Sequence, residues 1–98
     1  MNYHDVGERQ IKPPVRALLA GREDNVAILL SDVKAGEAIS VGTGWVEIAV
    51  EDIPAGYKIA IQPLRAGESI ITYGVVVGTA IRSIRTGERV HFHNFQAA

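Results

Sequence analysis

The chain has no cysteine. That excludes a disulfide scaffold, a thiolate metal centre and a cysteine nucleophile. It also lacks an excess of charge of either sign: 10 Lys and Arg against 11 Asp and Glu leave a formal net charge of −1. Such a balance offers no basic footprint for nucleic acid. Long hydrophobic runs are missing as well, since the longest fall far below the roughly 20 residues a membrane-spanning helix needs. The start, Met1-Asn2-Tyr3-His4-Asp5, carries an acid and no apolar segment. It does not read as a signal peptide, and a cytoplasmic location is the expectation. A Ser-His-Asp triad, a phosphate-binding loop and a Gly-x-Gly-x-x-Gly fingerprint are all absent. Helical periodicity is weak throughout.

What is present is the balance of one folded domain: 98 residues, 47% hydrophobic and 21% charged. One local pattern occurs four times. It runs Asp32-Val33-Lys34-Ala35-Gly36-Glu37, Asp52-Ile53-Pro54-Ala55-Gly56-Tyr57, Pro63-Leu64-Arg65-Ala66-Gly67-Glu68 and Ser83-Ile84-Arg85-Thr86-Gly87-Glu88. A glycine at a fixed place in a turn marks a position needing positive φ or close backbone approach. The four glycines lie 20, 11 and 20 residues apart, which suggests two similar halves, roughly 24–60 and 61–94. Between the turns stand short β-branched, apolar segments: Asn25–Leu30, Trp45–Val50, Lys58–Ile61, Tyr73–Gly78 and Val90–His93. Their close spacing predicts an all-β fold, a small barrel or clip of hairpins with pseudo-duplicated halves. Short 3-10 or helical turns are expected, the best being Val15–Ala20, which follows Pro13-Pro14 and stops at Gly21. The expected boundaries are an N-terminal extension over 1–22, the β domain over 23–95 and a tail over 96–98.

The residues with most chemistry stand at the C-terminal end, Gly87-Glu88-Arg89-Val90-His91-Phe92-His93-Asn94. On an extended strand His91 and His93 would share a face, a cluster suited to a divalent metal or an anionic substrate. Two hydrogen-bonded or exposed strand histidines would look the same. Asn94 either orients a histidine or binds a substrate hydroxyl, or it only ends the strand. Lys58 could pair with a substrate carboxylate, or be a solvated strand lysine. Tyr57 is either a hydrogen-bond donor or a cover for the core edge. Asp24 and Asn25 could offer an oxygen ligand or a base, or cap backbone amides in a turn. Tyr73-Gly74 fits an active-site edge, or an ordinary hairpin with a cross-strand aromatic. Arg82, Arg85 and Arg89 make the last third locally basic and would suit a dicarboxylate or sulfonate. Trp45 belongs to the core or an interface.

With these segments in place, the chain resembles the SAF (antifreeze-like, β-clip) domain of altronate and galactarate dehydratases. It resembles equally the small subunit of sulfolactate sulfo-lyase, which consists of that domain. The match rests on Asp24-Asn25-Val26-Ala27, Ile53–Ala60, Tyr73-Gly74 with Gly78-Thr79-Ala80, and Gly87–Asn94. The resemblance implies a subunit of a lyase that removes the proton beside a carboxylate and expels water or sulfite from a sugar acid or hydroxy acid. It implies a divalent metal, iron or manganese, held by His91 and His93. Lys58 and Tyr73 become catalytic candidates, and Asp24, Asn25, Tyr57 and Asn94 substrate-binding ones. It further implies a larger catalytic subunit as partner, here a separate chain, with no nucleic acid and no membrane. Two positions depart from the family pattern: Tyr57 stands where His is usual, and Thr72 where Lys is frequent. Tyrosine is a poor ligand for a divalent metal at neutral pH. The rival expectations are a carbohydrate- or protein-binding module of the same fold, and a structural homo-oligomer that seals its own sheet edges.

Overall fold

The structure, a computed structural model, describes residues 12–42 and 45–98. The described residues hold nine strands: β1 Val15–Leu18, β2 Val26–Leu29, β3 Ala38–Val41, β4 Trp45–Ile48, β5 Lys58–Ala60, β6 Ser69–Thr72, β7 Val75–Ala80, β8 Arg89–Val90 and β9 Phe95–Ala97. They form a six-stranded sheet in the order β4-β3-β1-β2-β5-β8 and a three-stranded sheet in the order β6-β7-β9. Pairing is antiparallel except between β1 and β3, which run parallel with Val15 opposite Ile39 and Ala17 opposite Val41. The all-β clip is as the sequence led one to expect. The helical turn over Val15–Ala20 is not. Those residues alternate, with Ala17 buried between exposed Arg16 and Leu18, and six residues are too few to nucleate a helix against the gain of joining a sheet. The sheets thus take in β1, which precedes position 23, and β9, which reaches Ala97.

The four repeated turns are alike in atomic detail. Their glycines have φ of 87°, 90°, 94° and 85° for Gly36, Gly56, Gly67 and Gly87. Each glycine N–H donates to a strand-end carbonyl, those of Ala49, Leu29, Ala80 and Ala60 in turn, at 2.7 to 2.8 Å. Each of those residues returns a hydrogen bond from its own N–H to the carbonyl after the glycine, at Glu37, Tyr57, Glu68 and Glu88. The turns then pair two by two, the first with the second through Val33 and Ile53 and the third with the fourth through Leu64 and Ile84. The duplication shows in these turn pairs. The strands do not divide by halves, because β5 and β8 both join the first sheet.

Two apolar clusters make the core. One gathers Leu29, Val33, Ile39, Val41, Ile53 and Ile59 with smaller neighbours; the other gathers Val26, Leu64, Ile70, Ile84 and Val90 with Ala60 and Ala80. β2 and β5 serve both. Val26 faces one cluster and Ala27 the other, and Ile59 and Ala60 divide the same way. Strands buried on both faces need apolar residues at successive positions, which is why Val26–Leu29 reads as a continuous hydrophobic run.

Candidate functional site

The second repeated turn differs from its three siblings at two places, Pro54 and Tyr57. In the others the glutamate after the glycine caps its own turn: the N–H groups of Lys34, Arg65 and Arg85 donate to Glu37, Glu68 and Glu88 at 2.9, 2.7 and 2.8 Å. The second turn has Pro54, which lacks an N–H to offer, and Tyr57 in place of the acceptor. The side chain at 57 is therefore released from the turn. It meets His91 edge to face, with ring centroids 5.1 Å apart and an interplanar angle of 81°. On Tyr57 also lies the Arg89 guanidinium, 5.2 Å from the ring centroid, a cation–π contact. A cavity of about 370 Å³ opens here, lined by Ala55, Gly56, Tyr57, Lys58, Val90 and His91. β5 brings Lys58 to its edge and β8, paired with it through Lys58 and Val90, brings His91.

His91 and His93 do not share a strand face, contrary to expectation. β8 ends at Val90 and the chain turns, with the N–H groups of Asn94 and Phe95 both donating to the His91 carbonyl at 2.9 and 3.0 Å. The cause is Asn94, whose side chain is fully buried. Its Oδ1 accepts from His91 N–H at 2.9 Å and its Nδ2 donates to the Arg89 carbonyl at 2.7 Å. A buried amide satisfied on both sides in this way pulls the backbone into a turn. His91 is left half-buried at the cavity, stacked by exposed Phe92 at 4.4 Å, while His93 is exposed and outside the lining. Asn94 holds the histidine's backbone; neither of its side-chain polar atoms is free for a ligand.

Asp24, Asn25 and Tyr73 gather elsewhere, at the β6–β7 hairpin. Tyr73 and Gly74 form its two-residue tip with φ of 54° and 71°, the left-handed pair that a tight hairpin turn demands. Asp24 clamps that tip: it accepts from Gly21, Tyr73 and Gly74 N–H groups at 2.8, 2.8 and 2.9 Å. Burial pushes its carboxyl pKa up, but the three amides outweigh burial and hold it below the usual value of 3.8. Asn25 joins the two sheets, donating from Nδ2 to the Ser69 carbonyl and accepting from Ile71 N–H, both at 2.8 Å. Tyr73 itself is exposed at the tip. Thr72, the family's frequent Lys position, is buried with no partner for its hydroxyl among the described residues.

Of the three arginines suited to an anion, Arg89 is the one packed on Tyr57. Its N–H donates to Glu51 at 3.0 Å, and its Nε is buried without a partner among the described residues. No repeat position marks it, and only β8 pairing places it over Tyr57. The cavity is thus lined by Tyr57, Lys58 and His91, with the Arg89 guanidinium packed on the Tyr57 ring, a set of donors and cations. Such a set suits a carboxylate or sulfonate. Among the described residues no three His, Cys, Asp or Glu side chains converge on one point, and Lys58 disfavours a cation beside it.

A family model described as altronate/galactarate dehydratase SAF domain matches residues 15–98, beginning where β1 begins. Altronate dehydratase of Bacillus subtilis is 37% identical over 73 residues, 74% of this chain but 14% of that protein. The galactarate dehydratase (L-threo-forming) of Escherichia coli is 38% identical over 81 residues, 81% of this chain and 15% of that protein. The (2R)-sulfolactate sulfo-lyase subunit alpha of Chromohalobacter salexigens is 40% identical over 75 residues, 68% of this chain and 77% of the relative. The match thus spans most of a small lyase subunit, but only about one seventh of the dehydratases.

Proposed function

The chain belongs to the altronate/galactarate dehydratase SAF domain family, and on that premise we propose that it is the small subunit of a hydroxy-acid lyase, completing the active site of a larger catalytic subunit. The reaction class is removal of the proton beside a carboxylate with loss of water or sulfite from the neighbouring carbon. A small sheet clip is not shaped to enclose such a substrate alone, so the site forms where the two subunits meet.

The observation that carries this reading is the cavity at Tyr57, Lys58 and His91, with Arg89 packed on the Tyr57 ring. Lys58 and Arg89 bind the substrate's carboxylate or sulfonate. The Tyr57 hydroxyl donates a hydrogen bond to the same anion or its neighbouring hydroxyl. His91, fixed by Asn94, supplies a further donor at the rim. Negative charge grows on the carboxylate as the adjacent proton leaves, so these cations favour the transition state over the ground state. Lys58 is the residue of this chain best placed to act on the reacting acid. Tyr73, at the hairpin tip, serves the reaction only if the larger subunit reaches it. Iron or manganese, if the assembled enzyme carries it, would need ligands beyond those that the described residues of this chain bring together.

The test is to express the chain with its larger partner and assay altronate, galactarate and sulfolactate. Lys58→Ala and Arg89→Ala should each raise KM by about tenfold, the loss of one charge-assisted bond, while Asn94→Ala should harm stability as well as rate. A larger partner fully active without this chain, or Lys58→Ala and Arg89→Ala enzymes with unchanged kinetics, would overturn the reading.

A further inference from the structure

The two turn pairs, equal in backbone, differ in how their amides are satisfied. In the first pair, Ala35 N–H donates to Asp52 Oδ1 and Ala55 N–H donates to Asp32 Oδ1, both at 2.8 Å. Each turn thus supplies a carboxylate to the other. In the second pair the places of the two aspartates are taken by Pro63 and Ser83, and the places of the two alanines by Ala66 and Thr86. Among the described residues neither Ala66 N–H nor Thr86 N–H has an acceptor. Loss of two acidic side chains also leaves room. The groove between the third and fourth turns measures about 910 Å³ against about 370 Å³ between the first and second.

Arg65 and Arg85 line the wider groove, at the positions held by Lys34 and Pro54 in the narrower one. Neither has a carboxylate within ion-pair distance among the described residues, whose ion pairs are Lys12–Glu37 and Arg82–Glu88. Glu68 also lines the groove, but one of its oxygens already accepts Arg65 N–H at 2.7 Å. We propose that the groove between the third and fourth turns is a second anion site, where a small organic diacid places one acid group on each turn, as Asp32 and Asp52 do internally in the first pair. Each acid group meets one backbone N–H and one guanidinium, a pairing that recognises carboxylates and sulfonates. The site is open and screened by salt, so its binding is weak and ionic-strength dependent. It is separate from the Tyr57 cavity and does not depend on the lyase reading.

The experiment is a titration of the full chain with malonate, followed by amide proton–nitrogen spectra, with acetate and sodium chloride at matched ionic strength as references. The Ala66 and Thr86 amides should move saturably with malonate, while those of Ala35 and Ala55 stay still. Arg65→Ala with Arg85→Ala should weaken binding about tenfold or more, with the rest of the spectrum showing an intact fold. Ser83→Asp restores the carboxylate of the first pair; it should move the Ala66 amide by itself and lower the affinity for malonate. Shifts that follow ionic strength alone, that acetate produces equally, or that persist in the double arginine variant would overturn the proposal. None of these readouts involves enzyme activity, so the outcome is independent of the Tyr57 cavity.

Discussion

A single residue can be chemically suggestive and structurally committed, and Asp24 is the case in point. A buried carboxylate near a tyrosine looks like a base, yet both its oxygens are taken by backbone amides. Its folded pKa lies below the unfolded value near 3.8, so its contribution is fully present above that pH and is lost as pH falls through the lower folded value. Asp24→Asn should therefore cost about 2 kcal/mol near pH 7, a fall in Tm of roughly 10 °C. The gap between the two proteins should narrow as the pH drops below about 4; thermal melts across pH 2–7 check both. Tyr57 is the opposite case. Comparison within the repeat, where Glu stands at the other three positions, singles it out from sequence alone. Arg89 needed the structure, because its partner in space is 32 positions away in the chain.

At the scale of elements, identical turns carry different burdens. A Cβ on Gly36 would meet nothing within 4 Å, whereas one on Gly87 would lie 2.0 Å from the Ile48 carbonyl oxygen. Both have left-handed φ, of 87° and 85°, so both pay the backbone strain of about 1 kcal/mol when replaced by alanine. Gly87→Ala must in addition push the fourth turn off the end of β4. We expect Gly36→Ala to lose about 1 kcal/mol and Gly87→Ala at least ~3 kcal/mol, by urea unfolding. The turn at His91–Asn94 makes a related point: a strand reading followed from alternating residues, but a buried asparagine bonded to Arg89 and His91 bends the chain. Period-two patterns of only four residues cannot resist such a local bond.

For the whole molecule, the sharing of β2 and β5 between the two apolar clusters is the decisive feature. The three-stranded sheet has no core of its own, since Val26, Ala60 and Val90 of the larger sheet complete the cluster around Ile70 and Ala80, and Asn25 adds hydrogen bonds between the sheets. Unfolding should be one cooperative transition, with Trp45 fluorescence and far-ultraviolet circular dichroism giving the same midpoint. Ile59→Ala, in the first cluster, should lower both midpoints together and cost about 2 to 5 kcal/mol. Two separated transitions would show that the clusters fold independently.

The all-β character, the four Gly turns and the family resemblance were legible in the chain, because they rest on local residue types at fixed spacing. The sequence also drew attention to Tyr57, Lys58 and His91, which the fold does bring to one cavity. That Val15–Leu18 is a strand emerged only in the fold, where it pairs antiparallel with β2 and parallel with the more distant β3. Only the structure separated Asp24, Asn25 and Tyr73 from that cavity and set Arg89 beside it. Residue types reveal which chemistry is on offer, but backbone pairing decides which side chains are already bonded and which are left to meet a ligand.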